Sequence, residues 1–343
     1  MNYNYKTHIE DLISSDYYKN LFILRNIVEK TCDEYFGELQ ATKIDLFMIT
    51  NGVSSPMGKG SDSLPIEIKF GKDNCYLVDS AQFGFEPLVQ KSFELVYCFM
   101  PSFRGEDPDK RHLNQFFHCE AEVRGSINDI LKISENLIKY IFRNVYDAYK
   151  RKVFVFKKHN FDYIPNLIKE QFPQITFDQA EEILNKNGLG NLVEKHDFGR
   201  NISREGEVRI AEIVGKSLRP VWIKNYDRDV VAFYQKPNPK NKESVLNGDL
   251  IFPSINGALG GEFIGMGQRQ DSREEMLESM KRQGIRGIHN YDWYLNLRKR
   301  KDYKTTSGFG LGIERLLAFM LAKDNIIDVI AYPVLKNKPS YFK

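Results

Sequence analysis

The chain holds four cysteines in 343 residues, Cys32, Cys75, Cys98 and Cys119, and they have no metal-finger spacing. With neither a signal peptide nor a long apolar run, they read as reduced core thiols of a cytoplasmic protein, and no membrane association is expected. No pair of histidines stands at the spacing of a helical zinc site. Internal repeats and low-complexity segments are also missing. Charge of one sign is lacking too: 49 basic residues against 46 acidic leave a net +3, which excludes a broad cationic field but leaves room for a local patch. What the chain does have is 42% hydrophobic residues, enough to bury a sizeable core in one large domain or two smaller ones.

Two stretches carry chemistry. In the first, the apolar run Leu95 to Met100 predicts a strand that delivers Arg104 and Glu106 at its end. Asp107-Pro108-Asp109 is turn chemistry, and Phe116 to Glu122 then alternates so that Phe116, His118, Glu120 and Glu122 share one face. An arginine fork grips phosphate and an aromatic ring stacks on a base, so the hairpin reads as a nucleoside triphosphate pocket. In the second, Ser307 to Gly312 alternates glycine with larger residues and runs into a helix bearing Glu314 and Arg315, as expected of a strand lying close under a ligand.

The remaining elements are legible from periodicity. Leu21, Leu24, Ile27 and Val28 predict an amphipathic helix over Asp16–Phe36, and the apolar positions from Ile127 to Ile141 predict a second, scaffolding one. Tyr76–Phe83 reads as a strand entering a turn, and Ser54–Ser63 as a loop. Pro220–Tyr226 and Val230–Tyr234 read as adjacent sheet strands, followed by an exposed turn at Pro237–Lys242.

The FRGE hairpin and the Gly-x-Gly-x-Gly-x-Glu-Arg segment together resemble motifs 2 and 3 of class II aminoacyl-tRNA synthetases, closest to the asparaginyl branch. The resemblance runs over nearly the whole chain from about Asp16. It implies an α+β fold: a central antiparallel sheet flanked by helices, in a single catalytic domain with a connecting insertion at about 152–219. The Asp16–Phe36 helix matches the motif 1 helix of a homodimer interface, although Ala41–Asp45 lacks the family's proline. Fifteen residues before Asp16 are too few for the anticodon-binding barrel those enzymes carry there, so a catalytic domain alone is expected.

By the same resemblance, Arg104 and Arg315 hold the phosphates of ATP, with Glu106, Arg111, His112, Phe116, Glu262 and Gly312 completing its site. Phe116 and Arg315 would sandwich adenine. Asp249 and Glu262 match the family's magnesium carboxylates, suited to a hard cation held by few carboxylates plus phosphate oxygens. Ser80, Gln82 and Glu120 match amino-acid contacts, and Arg269 the guanidinium reading its far end. Lys59-Gly60 stands where the family has Glu-Gly, so Asp79 is expected to take the α-amino group instead.

The reaction implied is ATP-dependent activation of aspartate, asparagine or a close analogue as an adenylate. Without the barrel, the chain resembles the archaeal asparagine synthetases related to asparaginyl enzymes, and transfer to ammonia or a small amine is the leading expectation, with tRNA set aside as a partner. The alternatives are a truncated asparagine or aspartate-tRNA ligase and a non-catalytic nucleotide-binding paralogue.

Overall fold

The computed structural model of the chain describes residues 2–54, 58–61, 63–156 and 161–341. Its centre is an eight-stranded sheet built from β1 (Thr42–Lys43), β2 (Leu95–Phe103), β3 (Gln115–Arg124), β4 (Gln174–Thr176), β5 (Val221–Lys224), β6 (Asn247–Phe252), β7 (Gly261–Gln268) and β8 (Thr306–Gly312). The spatial order is β1-β2-β3-β8-β7-β6-β5-β4. The six strands from β2 to β5 pair antiparallel, and β1 and β4 add parallel edges. Helices lie against it, which is the expected α+β architecture.

One face of the sheet is core. Cys119 and Ala121 of β3 and Leu311 of β8 are buried among Ile138, Ile141 and Phe142 of the helix Ile127–Lys150. That helix begins where Asp129 Oδ2 accepts a 2.7 Å bond from the Ser126 amide, satisfying a backbone donor the helix cannot. Leu21, Leu24, Val28, Cys32 and Phe36, three or four residues apart on the helix Asp16–Glu38, are all buried in the same core. Each such side chain contributes about 1.5–3 kcal/mol.

The other face carries the polar half of each alternation, floored by glycine. Register sets Glu120, Gly310, Gly265 and Asp249 in one row across four strands, and Glu122, Gly308, Gly267 and Asn247 in the next. A methyl built on Gly308 would stand 2.0 Å from Glu122 Oε2 and 2.4 Å from Arg269 Nη2, so only glycine leaves room there.

Two sequence expectations change here. Val230–Tyr234 is not a strand: the run is turn-rich, with Ala232, Phe233 and Tyr234 packed in one cluster with Met276, Met280 and Tyr294. Burial, not strand pairing, accounts for its apolar character. The stretch 152–219 supplies more than a connection, since it gives the sheet its β4 edge, a hairpin of Val193–His196 with Gly199–Ile202, and the helix Arg204–Val214.

Beside the sheet, Arg298 Nη2 sits 2.6 Å from Glu86 Oε1 with both side chains fully buried, and the hydroxyls of Tyr294 and Tyr303 donate to the same carboxylate. Arg298→Met leaves that charge without its cation, a loss of about 3–5 kcal/mol. The expected result is a clearly lowered denaturant midpoint; a midpoint equal to wild type would show that the pair does not hold these elements together.

Candidate active site

The hairpin of β2 and β3 places the Arg104 Cζ 5.3 Å from the centroid of the Phe116 ring. From β8, the chain passes Gly312 into the helix Ile313–Met320, whose first turn is pinned by Glu314. Glu314 Oε1 accepts from Arg25 at 2.8 Å and Oε2 from the Phe117 amide at 2.8 Å. Arg315, the next residue, is thereby aimed at β7, where its Nη1 donates to the Glu262 carbonyl at 2.9 Å.

These residues wall a cleft of 510 Å³ that also takes in Glu106, Arg111, His112, Gly312, Asp249 and Glu262. Every predicted ATP and metal residue therefore reaches one cavity. An adjoining chamber of 210 Å³ is lined by Ser80, Gln82, Glu120 and Arg269. Arg104, His118, Asp249, Glu262 and Gly310 are common to both walls. The two cavities meet at these five residues.

Electrostatics show what the larger cleft is prepared for. Burial, with Arg111 and Arg104 close by, lowers Arg315 to about 10 against the pull of Glu262 and Glu207. Partial desolvation and Arg111 likewise lower the largely exposed Arg204. The buried Nε atoms of Arg104 and Arg111 have no hydrogen-bond partner among the described residues. Cations that repel one another and present unused donors are satisfied by a polyanion.

Opposite stand the carboxylates. A methyl on Gly265 would lie 3.1 Å from Glu262 Oε1 and 3.5 Å from Asp249 Oδ1, so the two acids converge over a glycine cradle. Burial, then Glu262 and Glu207, hold the Asp249 pKa well above the ordinary carboxylate range, relieved in part by a Tyr226 hydrogen bond. Burial opposes ionisation of Glu262 too, but Arg315, Arg111 and Arg104 outweigh it and hold its pKa low. Among the described residues no three His, Cys, Asp or Glu side chains form a metal site unaided. A carboxylate pair facing these arginines instead fits magnesium, which keeps waters and shares phosphate oxygens.

The raised Asp249 pKa has a stability consequence. The folded chain binds this proton more tightly than the unfolded chain, so ionising Asp249 costs stability as pH rises above about 4. Asp249→Asn should melt above wild type at pH 8, with the two Tm values converging toward about pH 4, while losing magnesium-supported activity. A variant that melts below wild type at pH 8 would contradict the repulsion.

In the smaller chamber, Ser80 Oγ donates to Glu120 Oε2 at 2.7 Å and the Ala81 amide donates to the same oxygen at 3.1 Å. Arg269 Nε and Nη2 donate to the fully buried Glu122 at 3.0 and 2.7 Å. Burial works against the Arg269 charge, and Glu122 more than offsets it.

Asp79 is corrected. It accepts from the Ser54 amide at 3.1 Å and Ser54 Oγ at 2.9 Å and lines neither cavity. Glu120 lines the chamber, together with Asp249 and Glu262. Within the Ser54–Ser63 loop, residues 55–57 and Asp62 lie outside the described residues; Gly60 and Ser61 reach the larger cleft, and the Gly60 amide donates to the Val230 carbonyl at 3.1 Å. The guanidinium over Phe116 is that of Arg104, whereas Arg315 is held on Glu262.

Glu207 was missed. Burial raises its pKa; it lies 3.3 Å from Arg111 Nη1 and accepts from the Glu262 amide at 3.2 Å. In sequence it is a first-turn helix acid, indistinguishable from an exposed partner of the helix dipole.

A family model for tRNA synthetases class II (D, K and N) matches residues 1–336. The chain belongs to the class II tRNA synthetases. It is 31% identical over 269 residues to the asparagine–tRNA ligase of Thermococcus kodakarensis, a match covering 78% of this chain and 59% of that relative. With the asparagine–tRNA ligase of Mycoplasma capricolum it shares 30% over 327 residues, 91% of this chain and 70% of the relative. The asparaginyl-tRNA synthetase of Pyrococcus horikoshii complexed with asparaginyl-adenylate superposes over 98% of this chain and 73% of that one, with a TM-score of 0.85 and 25% identity. The class II chain thus spans roughly three fifths to seven tenths of these curated relatives. The expectation that tRNA is no partner is overturned by these relatives, which are tRNA ligases over most of this chain. It rested on what precedes Asp16, and the start of a sequence says nothing about the acceptor. No helix among the described residues is long and apolar enough to cross a membrane.

Proposed function

We propose that the chain activates asparagine with ATP as asparaginyl adenylate and passes the aminoacyl group to the terminal ribose of a tRNA. The observation that carries this reading is the pair of adjoining cavities sharing Arg104, His118, Asp249 and Glu262, one rich in guanidinium groups and one sized for an amino acid. The likeness to a synthetase complexed with asparaginyl-adenylate supports it.

In this reading ATP lies in the larger cleft with its phosphates on Arg104, Arg111 and Arg315 and its base on Phe116. Magnesium, held by Asp249 and Glu262, would neutralise phosphate charge. The α-carboxylate of asparagine enters from the smaller chamber; its oxygen bonds to the α-phosphorus and the bond to the β-phosphate oxygen breaks, releasing pyrophosphate. Positioning and charge stabilisation suffice, and no protein nucleophile is needed. A ribose hydroxyl then attacks the aminoacyl carbonyl, AMP leaves, and the hydroxyl proton passes to a phosphate oxygen or to water.

Asparagine is favoured over aspartate by charge. Glu120 lines this chamber with Asp249 and Glu262, and Arg269 already spends two donors on the fully buried Glu122. A substrate carboxylate would add a further negative charge beside Glu120, while a carboxamide offers both a donor and an acceptor. The test is product analysis with labelled asparagine, ATP, magnesium, tRNA and ammonia. Acid-precipitable, base-labile label on tRNA is expected; adenylate consumed by ammonia with none on tRNA would replace this reading.

A further inference from the structure

The segment from Lys281 to Lys304 holds eight basic residues against Asp292 and Asp302, and the site described above uses none of its exposed cations. Three of the eight are neutralised locally: Arg282 by Asp229 and Glu243, Arg298 by Glu86 and Arg300 by Asp302. Lys281, Arg286, Lys299, Lys301 and Lys304 are exposed and have no carboxylate within ion-pair distance among the described residues. Lys91 adds a sixth exposed cation on the loop before β2.

These charges are held on a fixed backbone. Between them, buried Arg298 donates to the Gln270 carbonyl at 2.8 Å and to the Tyr294 carbonyl at 3.0 Å. Gln90 brackets Lys304, its Oε1 accepting from the Lys304 amide at 2.8 Å and its Nε2 donating to the carbonyl at 3.2 Å. The anchors lead directly to the smaller chamber. Gln270 follows Arg269, Thr306 opens the strand whose Gly308 and Gly310 floor the chamber, and the half-exposed Trp293 packs edge-on against Phe83, next to Gln82.

We propose that Lys299, Lys301 and Lys304, with Lys281, Arg286 and Trp293 alongside, bind the sugar-phosphate backbone of the tRNA acceptor arm and deliver its 3′ end to the smaller chamber. The inference rests on the tRNA-ligase reading and locates its acceptor surface. Ordered, unpaired lysines beside an exposed aromatic ring suit a phosphate chain with stackable bases. The other basic run, Lys150-Arg151-Lys152, ends the helix that packs on the core face of the sheet, away from both cavities.

The test measures tRNA binding against salt between about 50 and 200 mM for wild type, for Lys299→Ala/Lys301→Ala/Lys304→Ala and for Lys150→Ala/Lys152→Ala, with asparagine-dependent pyrophosphate exchange alongside. Losing three phosphate contacts should reduce the slope of log K against log salt by about 2–3 and weaken binding at least tenfold. Exchange should stay within about twofold of wild type, because the lysines touch neither ATP nor asparagine. The Lys150 and Lys152 variant should keep the wild-type slope. The surface assignment is overturned if the triple variant keeps that slope, if the Lys150 and Lys152 variant loses it instead, if wild type binds no tRNA, or if exchange falls together with binding. Should wild type show no asparagine-dependent exchange while the triple variant still loses salt-dependent binding, the activity reading fails and the surface stands.

Discussion

Replacing Arg315 with alanine is expected to lower asparagine-dependent pyrophosphate exchange at least a hundredfold while the fold survives. The guanidinium is partly buried in the larger cleft, crowded by Arg111 and Arg104, and its pKa is pressed down to about 10. Such a residue gains most when an anion arrives, and loss of one buried charge-assisted contact costs about 2–5 kcal/mol. The effect belongs to catalysis and not to stability, because removing one of several mutually repelling cations relieves the apo protein. Arg315→Ala should therefore melt at or above the wild-type temperature. Arg315→Lys keeps charge without the fork and should recover only part of the rate. Exchange within tenfold of wild type in the alanine variant would remove Arg315 from the phosphate site.

Arg269→Ala has the second large effect, and a different one. Glu122 is fully buried and gripped at 2.7 Å, so the single variant strands a carboxylate and should lose about 3–5 kcal/mol of stability as well as asparagine binding. The double variant Arg269→Gln/Glu122→Gln separates the two, since removing both partners of a buried pair spares the fold. It should recover the wild-type melting temperature yet need at least a hundredfold more asparagine, with the ATP requirement changed by less than about threefold. A double variant with a wild-type asparagine requirement would show that the pair is scaffold only.

Sequence reading reached the site where residues with one role are close in the chain. Arg104 and Phe116 flank one turn, and Gly312 and Arg315 one strand-to-helix step, so the motifs they form were legible, and their shared cavity followed from the resemblance of those motifs to the family's. The helix Ile127–Lys150 was legible because its buried side chains recur at helical period. Val230–Tyr234 misled because an apolar run bounded by turns records burial and not backbone pairing. The Ser54 contact of Asp79 was not legible because Ser54 comes from a separate segment. Glu207 was invisible because an acid in a first helical turn is ordinarily solvated, and only folding the Arg204–Val214 helix against β7 brings it to Arg111 and Glu262.

The central claim is that asparagine and ATP meet at the junction of the two cavities to form an adenylate. Amino-acid-dependent exchange of labelled pyrophosphate into ATP, measured for the wild-type chain with magnesium and each of asparagine, aspartate and no amino acid, tests it most directly. The account predicts strong exchange with asparagine and at most a few per cent of that rate with aspartate or with none. Exchange that no amino acid stimulates, or that aspartate stimulates more than asparagine, would contradict it.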